Sequence, residues 1–395
     1  MKKFLALLLA LIMALSLVAC GQEAAAPADE GGDAATSDIP DSIKIGVMGT
    51  MTGEQALDGD NIKGAIALVE KELEADGGLK IGDKVVKVEF VFGDTEAKPE
   101  LAVNVMQKFL DQEKVVAVLG PNNSSDCLAA YEVSQAAGVP CVTNTATNVK
   151  VTQIGDYIFR ACFIDPFQGK VMANYAIKEL GLTKAAILYN NADAYSTGLM
   201  EAFRDAFEAA GGEVVANEAF AGTEVKDYSA QLTAIKNAGP DCFFIPNQNN
   251  MDPMIVQQTR KMGIECQLLG CDSWDYDFLA EKTGVDLIEG TIFTTGYSSG
   301  IDTAQDFQKA FTELNNFEPG FCSAMMYEAA WTLLTAIQNA ASVDGAAIRD
   351  ALAAISVDLP CGNLKFDADR NPIKSCAMVK FEGGQRVYVT SYAAD

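Results

Sequence analysis

From residue 43 onward, short apolar runs alternate with longer amphipathic stretches, and this rhythm constrains the fold more than any other feature. IKIGVM (43–48) precedes an amphipathic stretch over 61–75. VVKVEFVF (85–92) precedes 99–112, and VVAVLG (115–120) precedes 124–137 and then VPCVTN (139–144). The apolar runs lack strict polar alternation, as expected of parallel strands covered on both faces. Repeated strand–helix units with short Gly- and Asn-containing connections predict doubly wound α/β sheets. After FRACF (159–163) the pattern restarts. A helix is expected over 165–180, a strand at KAAILYN (184–190) and a helix over 197–210. EVVANEAF, DCFFIPN and QLLGCD then follow, with helices between them. Two such series predict two lobes. The C-terminal part changes character, with long helices over 304–315 and 324–340 and hairpin signals at FDADRNP and FEGGQR.

In such sheets ligands sit beyond the carboxyl ends of the strands. The strand ends here are polar: PNNSS (121–125), TNTATN (143–148), NNADAY (190–195), PNQNN (246–250) and CDSW (271–274). Ser124 and Ser125 open a helix whose first N–H groups suit a carboxylate. Any one of these loops is explained by the capping and turn preferences of Ser, Asn and Asp. Five on the same edge of two lobes predict a binding cleft.

Composition removes several chemistries. Lys and Arg number 29 against 54 Asp and Glu, a net charge of −25, which argues against a nucleic-acid partner. With no histidine, Ser-His-Asp and Cys-His nucleophiles and imidazole metal ligands are excluded. Nine cysteines follow Cys20 without a CxxC pair, so zinc or redox-motif chemistry is not expected. Cys361 and Cys376 flank a turn-rich segment and form the one plausible pair, with free thiols as the alternative. No GxGxxG or Walker A loop occurs, and Pro372 stands where an EF-hand loop needs glycine, so neither cofactor nor metal is expected. A hydrolase built on paired carboxylates is the enzymatic alternative. It would need two acids in one cleft with separated pKa values.

The N-terminus reads as an address. Lys2 and Lys3 precede an apolar run over 4–19 that as a helix reaches about 24 Å, short of the ~30 Å hydrocarbon core. This pattern predicts a secretory signal over 1–19. Leu17-Val18-Ala19-Cys20 resembles the lipobox of bacterial lipoproteins, which implies a lipid on Cys20 and membrane attachment. Residues 20–40 are rich in Ala, Gly, Asp and Glu and predict a flexible tether.

From residue 42 to 392 the chain resembles the type 1 periplasmic binding proteins, and within them the branched-chain amino-acid-binding proteins of ABC importers. The resemblance rests on IKIGVMGTMTG, VVAVLGPNNSS, GVPCVTNTATN, YIFRACFIDPFQG, LYNNADAYSTG, LLGCDSWD and GNLKFDADRNP, all in family order. It implies an α/β fold of two doubly wound lobes joined by three crossings, near Cys162, Phe293 and Ile373. Lobe one would comprise 41–161 plus 294–372, and lobe two 162–293 plus 373–395. It also implies a monomeric, non-enzymatic receptor outside the cytoplasm that passes an amino acid or similar zwitterion to an ABC permease. A ligand-sensing protein of the same fold is the alternative. By position, Ser124 matches the serine that holds the ligand carboxylate, and Thr145 and Thr147 match an Ala-x-Thr element, with Thr in place of Ala. Tyr195 matches a cleft tyrosine, and Asp272 the acid that binds the α-ammonium, shortened from Glu. Asp58, Asn122 and Gln248 stand where branched-chain binders place apolar or aromatic residues, which implies a polar ligand pocket.

Overall fold

The computed structural model describes residues 39–276 and 278–393. The expected signal, Cys20 and the tether up to residue 38 lie outside the described residues. Fifteen strands form among them. The first sheet contains β1 (Ser42–Gly49), β2 (Leu79–Ile81), β3 (Lys84–Asp94), β4 (Ala117–Leu119), β5 (Cys141–Thr143) and β6 (Ile158–Arg160), in the order β2-β3-β1-β4-β5-β6. All its pairings are parallel except the β2–β3 hairpin. The second sheet contains β7 (Lys184–Asn190), β8 (Glu213–Phe220), β9 (Cys242–Phe244), β10 (Gln267–Gly270) and β11 (Ile292–Thr295). β12 (Ser356–Leu359) and β13 (Gly362–Lys365) make a separate hairpin. β14 (Cys376–Glu382) and β15 (Gln385–Tyr392) complete the second sheet, in the order β15-β14-β11-β10-β9-β7-β8.

The parallel strands are short because helices cover both faces, so each residue must tolerate burial. Every residue of β4, β5, β9 and β11 is buried. Helix Phe321–Ala340 is apolar almost all round and lies buried against helix Ala56–Ala75 and the first sheet. In the second lobe, helix Asp165–Lys178 packs against helix Ala194–Ala209. No described helix is long and apolar enough to cross a membrane.

The chain crosses between lobes three times. It leaves the first sheet after Arg160 and leaves the second after Thr295. The helices Gln305–Asn315, Phe321–Ala340 and Gly345–Ala353 follow, and the chain re-enters the second sheet at Cys376. The second crossing therefore lies past Phe293, which is a buried residue inside β11. The third is pinned by a fully buried ion pair between Lys374 and Glu328 of helix Phe321–Ala340, whose second oxygen accepts from the Cys361 N–H at 2.6 Å. FDADRNP forms a turn in which the Asp367 carboxylate accepts from the Asp369 and Asn371 N–H groups, and FEGGQR turns β14 into β15. All nine described cysteines are free thiols, Cys361 and Cys376 included.

Both sheets reverse their winding at a definable point. In the first, β1 has β3 on one side and β4 on the other; in the second, β7 lies between β8 and β9. The carboxyl ends of β1, β4, β7 and β9 therefore open two crevices, where such folds hold ligands.

Candidate functional site

The turn leaving β4 sets the first wall. Gly120 has φ +72°, and a Cβ there would lie 2.1 Å from the Met48 carbonyl oxygen, so only glycine fits. The chain then runs through Asn122 and Asn123 into helix Ser124–Ala137. No side chain caps this helix, so its first-turn N–H groups have neither an intrahelical nor a capping partner. Beside it stands the start of helix Ala56–Ala75. A Cβ on Gly59 would meet the Met51 Cα at 2.6 Å, and this close approach brings Asp58 over the end of β1.

The opposite wall comes from the second lobe. Tyr195 lies in the first turn of helix Ala194–Ala209, and Asp272 opens the short turn after β10. Gln248 and Asn249 follow β9, and Ser273 and Tyr276 follow Asp272. These residues enclose one cavity together with Asp58, Asn122, Asn123, Ser124, Thr145 and Phe321. In this closed arrangement the room for the centre of a water-sized sphere is about 30 Å3. Among the described residues neither Lys nor Arg lines it, and Phe321 is its one wholly apolar side chain.

The two acids in the cavity differ in their partners. Asp58 is saturated: Asn122 Nδ2 (3.0 Å) and Thr50 Oγ1 (3.4 Å) donate to one oxygen, Asn249 Nδ2 (2.8 Å) and the Tyr276 hydroxyl to the other. Burial still pushes its carboxyl up to about 6. Asp272 accepts from the Tyr195 hydroxyl at 2.8 Å, and burial likewise raises it to about 6, against the opposing effect of Tyr195 and Gln168. A hydrolytic acid–base pair needs carboxylates whose environments push them apart, whereas burial raises both of these. Among the described residues no group of three or more Cys, Asp or Glu is placed to hold a metal ion.

Seven of the eight residues singled out from the sequence meet at this cavity: Asp58, Asn122, Ser124, Thr145, Tyr195, Gln248 and Asp272. Within it, the Thr145 hydroxyl donates to the Asn122 carbonyl (3.0 Å), Ser124 Oγ accepts from the Asn148 N–H (3.3 Å), and the Gln248 amide donates to Asp193 (3.0 Å). Thr147 does not line the cavity. It is fully buried, and its hydroxyl lies against the carboxyl of Asp165, which burial pushes up to about 7. Asn123, Asn249, Ser273, Tyr276 and Phe321 line the cavity without having been singled out. Asn123, Asn249 and Ser273 sit in the polar strand-end runs, so the signal for them was present. Tyr276 and Phe321 lie outside both the polar strand-end runs and the expected helices.

The family described as periplasmic binding protein matches residues 42–385. An amino acid binding protein of Pseudomonas aeruginosa is 28% identical over 327 residues, covering 82% of this chain and 86% of that protein. The leucine-specific-binding protein of Salmonella typhimurium is 26% identical, over 83% of this chain and 88% of its own length. Among solved structures, the leucine binding protein LivK of Thermotoga maritima superposes with a TM-score of 0.83 at 29% identity, covering 89% of this chain and 99% of that one. The branched-chain amino acid transporter substrate binding protein LivJ of Streptococcus pneumoniae, in complex with isoleucine, gives 0.81 at 28% identity, with the same two coverages. These relatives are binding proteins rather than enzymes.

Proposed function

This chain belongs to the periplasmic binding protein family, and on that premise we propose that it is the extracytoplasmic receptor of an ABC importer for a small polar amino acid or similar zwitterion. One observation carries this reading. An uncapped helix N-terminus at Ser124 and a buried carboxylate at Asp272 line one cavity with no cationic side chain among the described residues. The first suits a ligand carboxylate through N–H groups and the helix dipole. The second suits an ammonium, because a carboxylate buried without a cation is costly. An acid lacking an ammonium would leave Asp272 unpaired. The ligand would be held first by one lobe and enclosed by the other, lobe one being 41–161 plus 296–372 and lobe two 162–295 plus 373–395. The permease would then read the closed shape. The lipid on Cys20 would tether a monomeric receptor to the membrane.

The walls support a polar ligand over leucine. Amides and hydroxyls surround Asp58, and Phe321 alone offers a wholly apolar side chain. An isobutyl group would find Phe321 as its one wholly apolar neighbour, and would cost about 1–3 kcal/mol for each polar group of the walls that it left without a partner. Calorimetric titration against serine, threonine, alanine, glutamine, leucine, isoleucine and valine tests this. Tightest binding is expected among the small and polar members. Tightest binding to leucine would overturn the polar pocket, and no binding to any amino acid would overturn the zwitterion reading.

A further inference from the structure

A second set of contacts joins the lobes at the rim of the cavity, and its central residues, Ser125 and Asp193, do not line it. The Ser125 hydroxyl, in the first turn of the first-lobe helix, donates to Asp193 Oδ1 at 2.9 Å and accepts from the Ala194 N–H at 3.1 Å. Asp193 is the N-cap of the second-lobe helix Ala194–Ala209, and its other oxygen accepts from Gln248 at 3.0 Å. One residue on, the Ala194 carbonyl accepts from Asn148 Nδ2 of the first lobe at 2.8 Å. Gly198 permits this approach. A Cβ there would lie 2.5 Å from Asn148 Nδ2 and 2.9 Å from Asp165 Oδ2, although its backbone is ordinary helix that alanine adopts with ease.

We propose that the side chains of Ser125 and Asp193, with Gly198 leaving room for Asn148, form a clasp that holds the lobes closed from outside the cavity lining. This rests on the reading of the cavity as the binding site. Contacts made only when the lobes meet favour the closed state alone. They slow ligand release and raise affinity in proportion to the closed fraction, while leaving capture by the open form unchanged. Ser125 and Asp193 are therefore positioning residues, and affinity depends on groups outside the pocket.

The test uses wild type, Ser125→Ala, Ser125→Thr and Gly198→Ala. Release of a bound equimolar mixture of the twenty protein amino acids is followed by stopped-flow tryptophan fluorescence, and small-angle scattering is recorded with and without the mixture. Loss of the Ser125 hydroxyl is expected to speed release about tenfold, the usual effect of one charge-assisted bond, with association unchanged. Ser125→Thr should release as wild type does. Gly198→Ala should release quickly, since its Cβ would meet Asn148 of the first lobe. Release rates that agree across wild type, Ser125→Ala and Gly198→Ala would overturn the clasp. A wild type that ignores the mixture would instead refute the amino-acid reading. The ligand-free radii of gyration then decide the clasp, larger in both variants if it exists and equal to wild type if it does not.

Discussion

Asp272→Asn separates the needs of the fold from those of the ligand. Asp272 is 4% exposed, and burial raises its carboxyl from 3.8 to about 6. The folded protein thus binds this proton more tightly than the unfolded chain does. Between those two pH values unfolding releases the proton, so the group's contribution to stability falls as pH rises and levels off above pH 6. A shift of about two units corresponds to roughly 3 kcal/mol of lost stability at pH 8, an upper figure because asparagine must still satisfy Tyr195 and Gln168. The variant keeps an oxygen for the Tyr195 hydroxyl and sheds the charge. Ligand-free Asp272→Asn is therefore expected to be about 1–3 kcal/mol more stable than wild type at pH 8, with the difference vanishing near pH 4. Its affinity for any amino acid should fall at least about tenfold, since a charge-assisted bond is lost. Urea denaturation at both pH values and calorimetry at pH 8 read the two effects. A variant that binds like wild type would refute the ammonium contact. One that is less stable at pH 8 would refute the claim that Asp272 is buried with its charge uncompensated.

Three further outcomes follow from the structure. Ser124→Ala should weaken amino-acid binding about tenfold in calorimetry, and an analogue lacking the carboxylate that binds as tightly as its parent would remove Ser124 from that role. Glu328→Ala leaves Lys374 buried beside an empty place and should cost about 3–5 kcal/mol in denaturant unfolding, whereas joint replacement of Glu328 and Lys374 by methionine should recover most of it. Cys20→Ser should leave the protein unprocessed or released from membranes, and unchanged processing with unchanged membrane association would refute lipidation.

The sheets were legible because burial on both faces leaves a mark that a single strand cannot hide. CFF in β9 and AVL in β4 have no polar face to show. The strand-end loops were legible for a related reason, since polar residues interrupt such runs only where the backbone leaves the core. What the sequence could not show was how the lobes meet. Tyr276 and Asn249 line the cavity where they donate to Asp58 of the other lobe, at a separation of 218 residues for Tyr276. Thr147 shares its loop with Thr145 yet turns to Asp165, a residue of the next lobe's first helix. The resemblance placed the second crossing near Phe293, yet β11 continues through Thr294 and Thr295. Both threonines are buried, and Thr295 donates to Asp275 within the second lobe.

The acids of the cleft divide by where their partners come from. Asp58 belongs to the first lobe and takes hydrogen bonds from Asn249 and Tyr276 of the second. Asp193 belongs to the second and takes one from Ser125 of the first. Each is better satisfied once the lobes have met, so both favour closure whatever occupies the cavity. Asp272 differs, because Tyr195 and Gln168, which hold it, belong to its own lobe. Closure removes water from Asp272 and returns no charge to it from the first lobe. A closed empty cleft therefore carries the cost of that carboxylate, and a cationic group on the ligand offsets it. The closing contacts and the group that selects the ligand are thus different residues. Changes at Ser125 or Asp193 should alter how long any ligand stays, and changes at Asp272 should alter which ligands are admitted.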